Sequence, residues 1–417
     1  MRKTLFSFVF VVISTTMVLR AQTRGSILGQ DLTSNVITTS VPFLLIGPDS
    51  RIGGMGETGA AVLDDANAQH WNPAKYLFAQ KDFGISLSYS PWLAALNIHD
   101  IHLLYLSTYY KVTQMDAISF SLRYFSMGRM EITDITGAKI MDAKPHEFAI
   151  DGAYSRILVE GLSMAVTGRF IYSFLSTYTS SQENIHPGMA GAADVSLFYT
   201  KKFKPGKLYN HNFNIGLNIS NIGSKISYSE SMRRDFLPAN FRLGFAYDMW
   251  LDKYNKFTLA FDINKLLVTS PPVYERDEYG SILYKPGTDQ PFIASGKYPY
   301  STNPAAAVFT SWFDAPGTLD KSTGKFIGKF REELSEYILN FGVEYTYSEL
   351  LSIRAGYFNE AVTKGDRKYL TVGIGIKYSI FAIDAAYIIP VSRRTNSPLE
   401  HTLRFTLSFD FDAERKN

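Results

Sequence analysis

The residues best suited to chemistry lie close together near the start of the sequence. Gly54-Met55-Gly56-Glu57-Thr58-Gly59 spells the G-x-G-x-x-G pattern that lets a backbone approach a dinucleotide pyrophosphate. That chemistry needs a strand before the glycines, a helix after them and an acidic residue about 20 positions on. Pro48 interrupts the approach and Asp64–Asp65 comes too soon, so the glycines are read as permitting a tight backbone path. Asp65-Ala66-Asn67-Ala68-Gln69 spaces oxygen ligands as a calcium loop does, but His70 stands where glycine is needed and Tyr76 where glutamate is needed. Cysteine is absent, which excludes disulfides, thiolate metal sites and thiol nucleophiles. The seven histidines are scattered, and His99 and His102 face opposite sides of any regular strand. No Ser/His/Asp set is recognisable. The expectation is therefore a protein that is not an enzyme, with no catalytic residues, no metal site and no cofactor.

The elements around these residues have a period of two. Phe213, Ile215, Leu217 and Ile219 alternate with Asn214, Gly216, Asn218 and Ser220. Leu403, Phe405, Leu407 and Phe409 alternate with Arg404, Thr406, Ser408 and Asp410. Strict alternation over such lengths predicts strands with one apolar face. About 14 segments of this kind begin near residues 83, 100, 117, 146, 161, 191, 212, 240, 256, 336, 350, 369, 380 and 401. The second, apolar on both faces, and the sixth, rich in Ala and Gly, have the weakest pattern.

Three features separate a membrane barrel from a soluble sandwich. The apolar faces of the clear strands carry no charge, as expected where an Arg at mid-membrane costs roughly 2–4 kcal/mol. Phe and Tyr, 30 and 26 in number against 4 Trp, gather at strand ends in the manner of interfacial girdles. The connections alternate between long and short, as outer loops and periplasmic turns do. The reading is an all-β fold: a 14-stranded antiparallel transmembrane β-barrel over 83–412, with both ends in the periplasm. The connection 265–335 is then a long outer loop. It holds Phe309, Trp312 and Phe313 between Pro304 and Pro316, a cluster expected to bind a partner.

The N-terminus reads as an export signal over 1–21: Arg2 and Lys3, an apolar run from Leu5 to Ile13, and a small residue at Ala21 before Gln22. The run is shorter than the roughly 20 residues of a transmembrane helix. The formal charge is +3, from 42 basic and 39 acidic residues. Arg2, Lys3 and Arg20 account for the excess, so the remaining chain is near neutral and nothing suggests a nucleic acid. Residues 22–82, rich in Gly, Ala, Asp and Asn, are too few for a stable separate domain and predict a hatch, or plug, inside the barrel. Arg51, Gly53, Gly54, Gly56, Asp64, Asp65, Asn67, Asn72 and Pro73 are its expected working residues. Asp64 and Asp65 are expected to pair with lumen arginines or to cap a short helix. The alternating charges Arg123, Asp151, Arg169, Arg242, Asp248, Glu344 and Arg404 are read as an ion-pair network holding that plug, since their signs are mixed.

Asp64-Asp65-Ala66-Asn67-Ala68-Gln69-His70-Trp71-Asn72-Pro73-Ala74 resembles the hatch signature of the FadL superfamily of 14-stranded barrels. More narrowly, Val41-Pro42-Phe43-Leu44-Leu45-Ile46-Gly47-Pro48-Asp49-Ser50-Arg51, Tyr89-Ser90-Pro91-Trp92-Leu93, Phe236-Leu237-Pro238-Ala239-Asn240 and Asp262-Ile263-Asn264-Lys265-Leu266-Leu267 resemble the PorV family of the type IX secretion system. The resemblance covers nearly all of the exported chain. It implies an outer-membrane component that binds secreted cargo through the cargo's C-terminal signal domain and docks on the translocon barrel. Cargo then passes to an attachment complex with a PorU-type sortase, and the barrel contacts outer-membrane lipids. The rival implication is a FadL-like channel for hydrophobic small molecules.

Overall fold

The computed structural model describes residues 35–92, 100–134, 136–175, 185–203, 210–229, 234–277, 279, 281–288, 290–299, 302–320, 325–391 and 402–412. The export signal at 1–21, the start of the expected hatch at 22–34, and His99 lie outside the described residues.

Fourteen strands close into one antiparallel barrel. In chain order they are β1 (Phe83–Pro91), β2 (Ile101–Lys111), β3 (Asp116–Met127), β4 (His146–Val159), β5 (Leu162–Phe174), β6 (Gly188–Phe203) and β7 (His211–Gly223). There follow β8 (Asn240–Trp250), β9 (Asn255–Leu266), β10 (Ile338–Tyr347), β11 (Leu351–Asn359), β12 (Lys368–Tyr378), β13 (Phe381–Pro390) and β14 (Leu403–Phe411). Each strand pairs with its neighbours in sequence. The seam closes where β1 meets β14, from Phe83 opposite Phe411 to Tyr89 opposite Phe405. Every backbone group in the wall thus has a strand on either side, the condition for crossing hydrocarbon without unpaired polar groups.

Burial is inverted relative to a soluble protein. On β14 the polar Arg404, Thr406 and Ser408 are buried, while Leu403, Phe405 and Leu407 are exposed. Asn212, Asn214 and Asn218 on β7 are likewise buried, with Phe213 exposed between them. The polar face lines the lumen and the apolar face looks out, which is stable only where lipid replaces water outside. Near the outer rim a row of rings crosses four strands on that outer face: Tyr89 to His102 at 5.8 Å, His102 to Tyr124 at 6.4 Å, and Tyr124 to His146 at 6.0 Å. His102 therefore belongs to an interfacial girdle.

The two strands with weak patterns are explained by what they face. The inner side of β2 is apolar because it meets chain inside the barrel; Tyr109 stacks on Tyr76 with ring centroids 4.5 Å apart. The small inward residues of β6 leave room for Phe43 and Leu44, which pack in one cluster with Ala190. The short connections, at 112–115, 160–161, 251–254, 348–350 and 379–380, share the end of the barrel where β1 begins, and the long ones share the other. The longest runs over 267–337 rather than 265–335, because β9 continues to Leu266 and β10 starts at Ile338. It carries two helices, α1 (Pro304–Thr310) and α2 (Lys329–Ser335).

This arrangement predicts the topology. The native chain has no cysteine, so single replacements report cleanly. On intact cells, a Cys at Ser281 in the long connection is expected to react with a membrane-impermeant maleimide. A Cys at Thr113 in the turn after β2 is expected to stay unlabelled, and the opposite pattern would invert the barrel.

Candidate functional site

Two regions carry polar and aromatic groups that the wall alone does not need: the chain over 35–82, and the loop over 267–337. The first runs through the inside of the barrel. Ile52, Met55 and Trp71 are fully buried there. Its hydrogen bonds reach strands on all sides. The Ser50 amide donates to the Thr406 hydroxyl at 2.8 Å, the Ala60 amide to Asp262 at 3.0 Å, and the Asn72 side chain to the Leu197 carbonyl at 2.9 Å. Ser155 and Ser163 donate to the carbonyls of Pro73 and Ala74 at 3.0 and 2.7 Å.

Arg51 makes the main ionic contact. Its Nε and Nη2 donate to the two oxygens of Glu344 at 3.0 and 2.8 Å. Its Nη1 donates to the Leu63 carbonyl at 2.9 Å, and also to that of Asp64. Glu344 accepts from Arg354 as well, at 2.6 Å, and Arg354 reaches Asp384 at 2.5 Å. A relay of alternating charge thus runs from the inner chain across β10, β11 and β13. Arg404 pairs with Glu57 at 2.8 Å, and Arg169 bridges Asp151 and Asp194 at 2.6 and 2.9 Å. Arg123 donates to the Leu44 carbonyl at 2.8 Å, and Arg242 to that of Glu57 at 3.0 Å. Buried charges at these separations hold their geometry because losing one partner would strand the other.

The glycines work through closeness. Gly56 has φ of +67°, and a Cβ there would stand 2.6 Å from the Phe341 carbonyl oxygen and from the Tyr357 amide nitrogen. A Cβ on Gly54 would lie 3.0 Å from the Cα of Gly373 on β12, and one on Gly53 would meet Arg404 at 2.6 Å. The Thr371 hydroxyl accepts from the Gly56 amide and donates to the Gly54 carbonyl, both at 2.9 Å.

The two acidic residues depart from expectation. Asp65 pairs with Lys75 of the same segment at 3.6 Å, rather than with a lumen arginine, and accepts from the Asn67 amide at 2.9 Å. Asp64 accepts from the Gln80 amide at 3.0 Å. The lumen arginines already have other partners, strand carboxylates for Arg169 and Arg242, Glu57 for Arg404 and inner-chain carbonyls for Arg123, so these two aspartates brace the inner chain against itself. Sequence reasoning missed Asp49, whose carboxylate accepts from the Ile52 amide at 2.9 Å and from the Trp71 indole at 2.6 Å. Burial, with the nearby Asp65, pushes Asp49 up to about 7. A lone tryptophan in a stretch rich in Gly and Ala was the available signal.

In the outer loop, Phe309, Trp312 and Phe313 do not act alike. Phe309 and Phe313 are 77% and 90% exposed. Trp312 instead packs edge-on against Phe241 of β8 at 5.1 Å, with its indole donating to the Val308 carbonyl at 3.0 Å. Strand register explains the inward turn of Trp312. Ile219, Phe241 and Lys265 lie opposite one another on β7, β8 and β9 and share the outer side of the wall. A bare lysine beside lipid is costly. The loop covers this row, and Glu333 of α2 and Glu336 at its C-cap reach Lys265 at 2.8 and 2.5 Å. With its carboxylates turned inward, α2 leaves Phe330 and Leu334 exposed, two apolar residues that sequence reasoning missed.

Deleting residues 41–80 is expected to raise single-channel conductance in planar bilayers. Gly56→Ala is expected to cost upwards of about 1 kcal/mol, read as a lower temperature for the gel shift of the folded barrel. An intact protein conducting like an open pore would exclude a plugged lumen.

Solved structures with a similar chain path include three outer-membrane barrels. A mutant of the monoaromatic hydrocarbon channel TodX has a TM-score of 0.49 and 11% identity, over 88% of this chain and 99% of that one. The P. putida toluene transporter TodX has 0.47 and 13%, over 88% and 99%. A Pseudomonas aeruginosa FadL homologue has 0.40 and 10%, over 91% and 100%. Among curated proteins, a sequence search finds no match. The sequence profile described as type IX secretion system protein PorV matches residues 30–273, more than half of the chain, from the inner segment into the outer loop. A closed barrel with an apolar exterior stands in the outer membrane, and the chain belongs to the PorV family of type IX secretion proteins.

Proposed function

We propose that this protein is the cargo-docking component of a type IX secretion system. It binds secreted proteins through their C-terminal signal domains, contacts the translocon barrel, and delivers cargo to a surface attachment complex with a PorU-type sortase. Family membership supplies the system. The carrying observation is the exposed aromatic pair Phe309 and Phe313 on a loop that Trp312, Glu333 and Glu336 tie to the barrel. Exposed rings on a braced scaffold suit protein recognition, because little ordering entropy remains to be lost on binding. Residues 35–82 act in this reading as a hatch that keeps the lumen shut, so the barrel serves as a platform while transport proceeds elsewhere in the assembly. The bonds of Arg51, Asn72 and Pro73 to the wall and the close approach of Gly53, Gly54 and Gly56 support that role. Asp64, Asp65 and Asn67 keep the hatch in shape.

The alternative, a FadL-like channel for hydrophobic molecules, draws on the cavity of about 530 Å³ at the periplasmic end, where Leu77, Phe78 and Trp250 meet Lys202, Asn212 and Asp252. Its mixed lining suits a lipid or detergent poorly compared with an apolar pocket.

The test is recovery of the translocon and cargo on the tagged, full-length protein. Phe309→Ala with Phe313→Ala is expected to leave a folded, heat-modifiable barrel and to lower recovery tenfold or more, since one hot-spot ring is worth about 2 kcal/mol or more. Trp312→Ala is expected to loosen the loop first. Undiminished recovery in the double variant, or lipid bound in the lumen in place of partners, would overturn the reading.

A further inference from the structure

The outer loop buries more negative charge than it neutralises. Asp314, Glu333 and Glu336 come together where the turn after α1 meets α2, Lys364 joins Glu332 to Glu336, and among the described residues Lys265 and Lys364 are the cations paired with these carboxylates. Lys265 serves Glu333 and Glu336, and Lys364 serves Glu332 and Glu336 at 2.9 and 3.0 Å. Among the described residues no lysine or arginine pairs with Asp314, although it is only 4% exposed. One of its oxygens accepts the Ser270 amide at 3.4 Å, and the other has no hydrogen-bond partner. Three further buried hydroxyls without partners belong to the same segments: Thr269 beside Ser270, and Thr310 and Ser311 between the end of α1 and Asp314. Every orphaned atom here is an oxygen.

We propose that Asp314, Glu333 and Glu336 form a calcium site that clamps the turn after α1 to α2. One oxygen from each lies within 4.8 Å of the others. Three buried protein carboxylates suit Ca²⁺, which takes about six to eight oxygen ligands in flexible geometry, better than Mg²⁺, which keeps several of its waters. An all-oxygen set without His or Cys selects a hard cation over zinc or copper. A divalent ion balances the two charges left by four carboxylates and two ammonium groups, and it gives Asp314 the partner it lacks. The ligands come from the connection after α1 and from the end of α2 rather than from a contiguous calcium loop, so no spacing motif announces them. The ion would also fix Phe313, next to Asp314, relative to Phe330 and Leu334 on α2. That consequence rests on the docking reading above, whereas ion binding does not.

The experiment is a calorimetric titration of the full-length protein in detergent with CaCl₂, after dialysis against EDTA, with no partner present. One saturable site is expected. Asp314→Asn and, separately, Glu333→Gln are expected to weaken it tenfold or more while the barrel stays heat-modifiable. Absence of saturable binding to the native protein overturns the site, whatever the variants do. Unchanged affinity in a folded variant overturns it too, and assigns the charge balance to Lys265 and Lys364 alone. Calcium binding without any effect of EDTA on partner recovery would sever the ion from docking and leave the site itself standing.

Discussion

A backbone that crosses hydrocarbon has no water to bond, so each strand must find a strand on both sides. That requirement closes the sheet, and closure sorts the side chains. Leucine, isoleucine and phenylalanine are driven outward, and serine, threonine, asparagine and charge are driven inward. A lumen so lined cannot be left with unpaired carboxylates and guanidinium groups, because buried charge without a partner is strongly destabilising. The chain over 35–82 answers that need, and its composition follows from the task. Its carbonyls and amides satisfy strand hydroxyls, Arg51 completes the relay through Glu344, and its glycines let backbone lie on backbone. The inner chain is thus part of the electrostatics of the wall rather than a passenger within it.

The outer loop obeys the same rule from the other side. Lys265 occupies an outward position at the end of β9, where lipid would otherwise meet an ammonium group. The loop folds down, contributes carboxylates and hides the charge. The cost is transferred outward: α2 presents Phe330 and Leu334, and α1 leads into Phe313. Exposed rings at this rim are the far side of a solution to a charge problem beneath them, which places the aromatic contacts of the proposed docking face where the wall is weakest.

The strands were legible because a period of two needs only local sequence. Most observed starts, such as Asp116, His146, Asn240 and Asn255, fall within a residue of those read from alternation, whereas Gly188, Ile338 and Leu403 depart by two or three. The site was legible by type but not by partner. That Arg51 and the glycines would matter followed from their chemistry; that Arg51 would meet Glu344, nearly three hundred residues away, did not. Asp65 was misassigned because its partner Lys75 lies on the same short segment, a pairing that folding creates and spacing does not suggest. Trp312 was grouped with its neighbours because three aromatics in five residues look alike in one dimension. The missed clue was Lys265: a lysine on an otherwise apolar strand face calls for something to cover it, and the covering loop then has an inside and an outside.

The last strand has a double role. β14 pairs with β1 to close the seam, and the same strand offers Thr406 to Ser50 and Arg404 to Glu57. Its partners on the inside lie near the start of the described residues, and its own residues lie near their end. Neither the ring nor its filling is complete until the C-terminal strand arrives. Contacts so distant in sequence form slowly, because the loop that joins them must be closed before they repay it. The strand that seals the wall is thus also the strand that seats the inner chain, so closure and filling share one set of contacts.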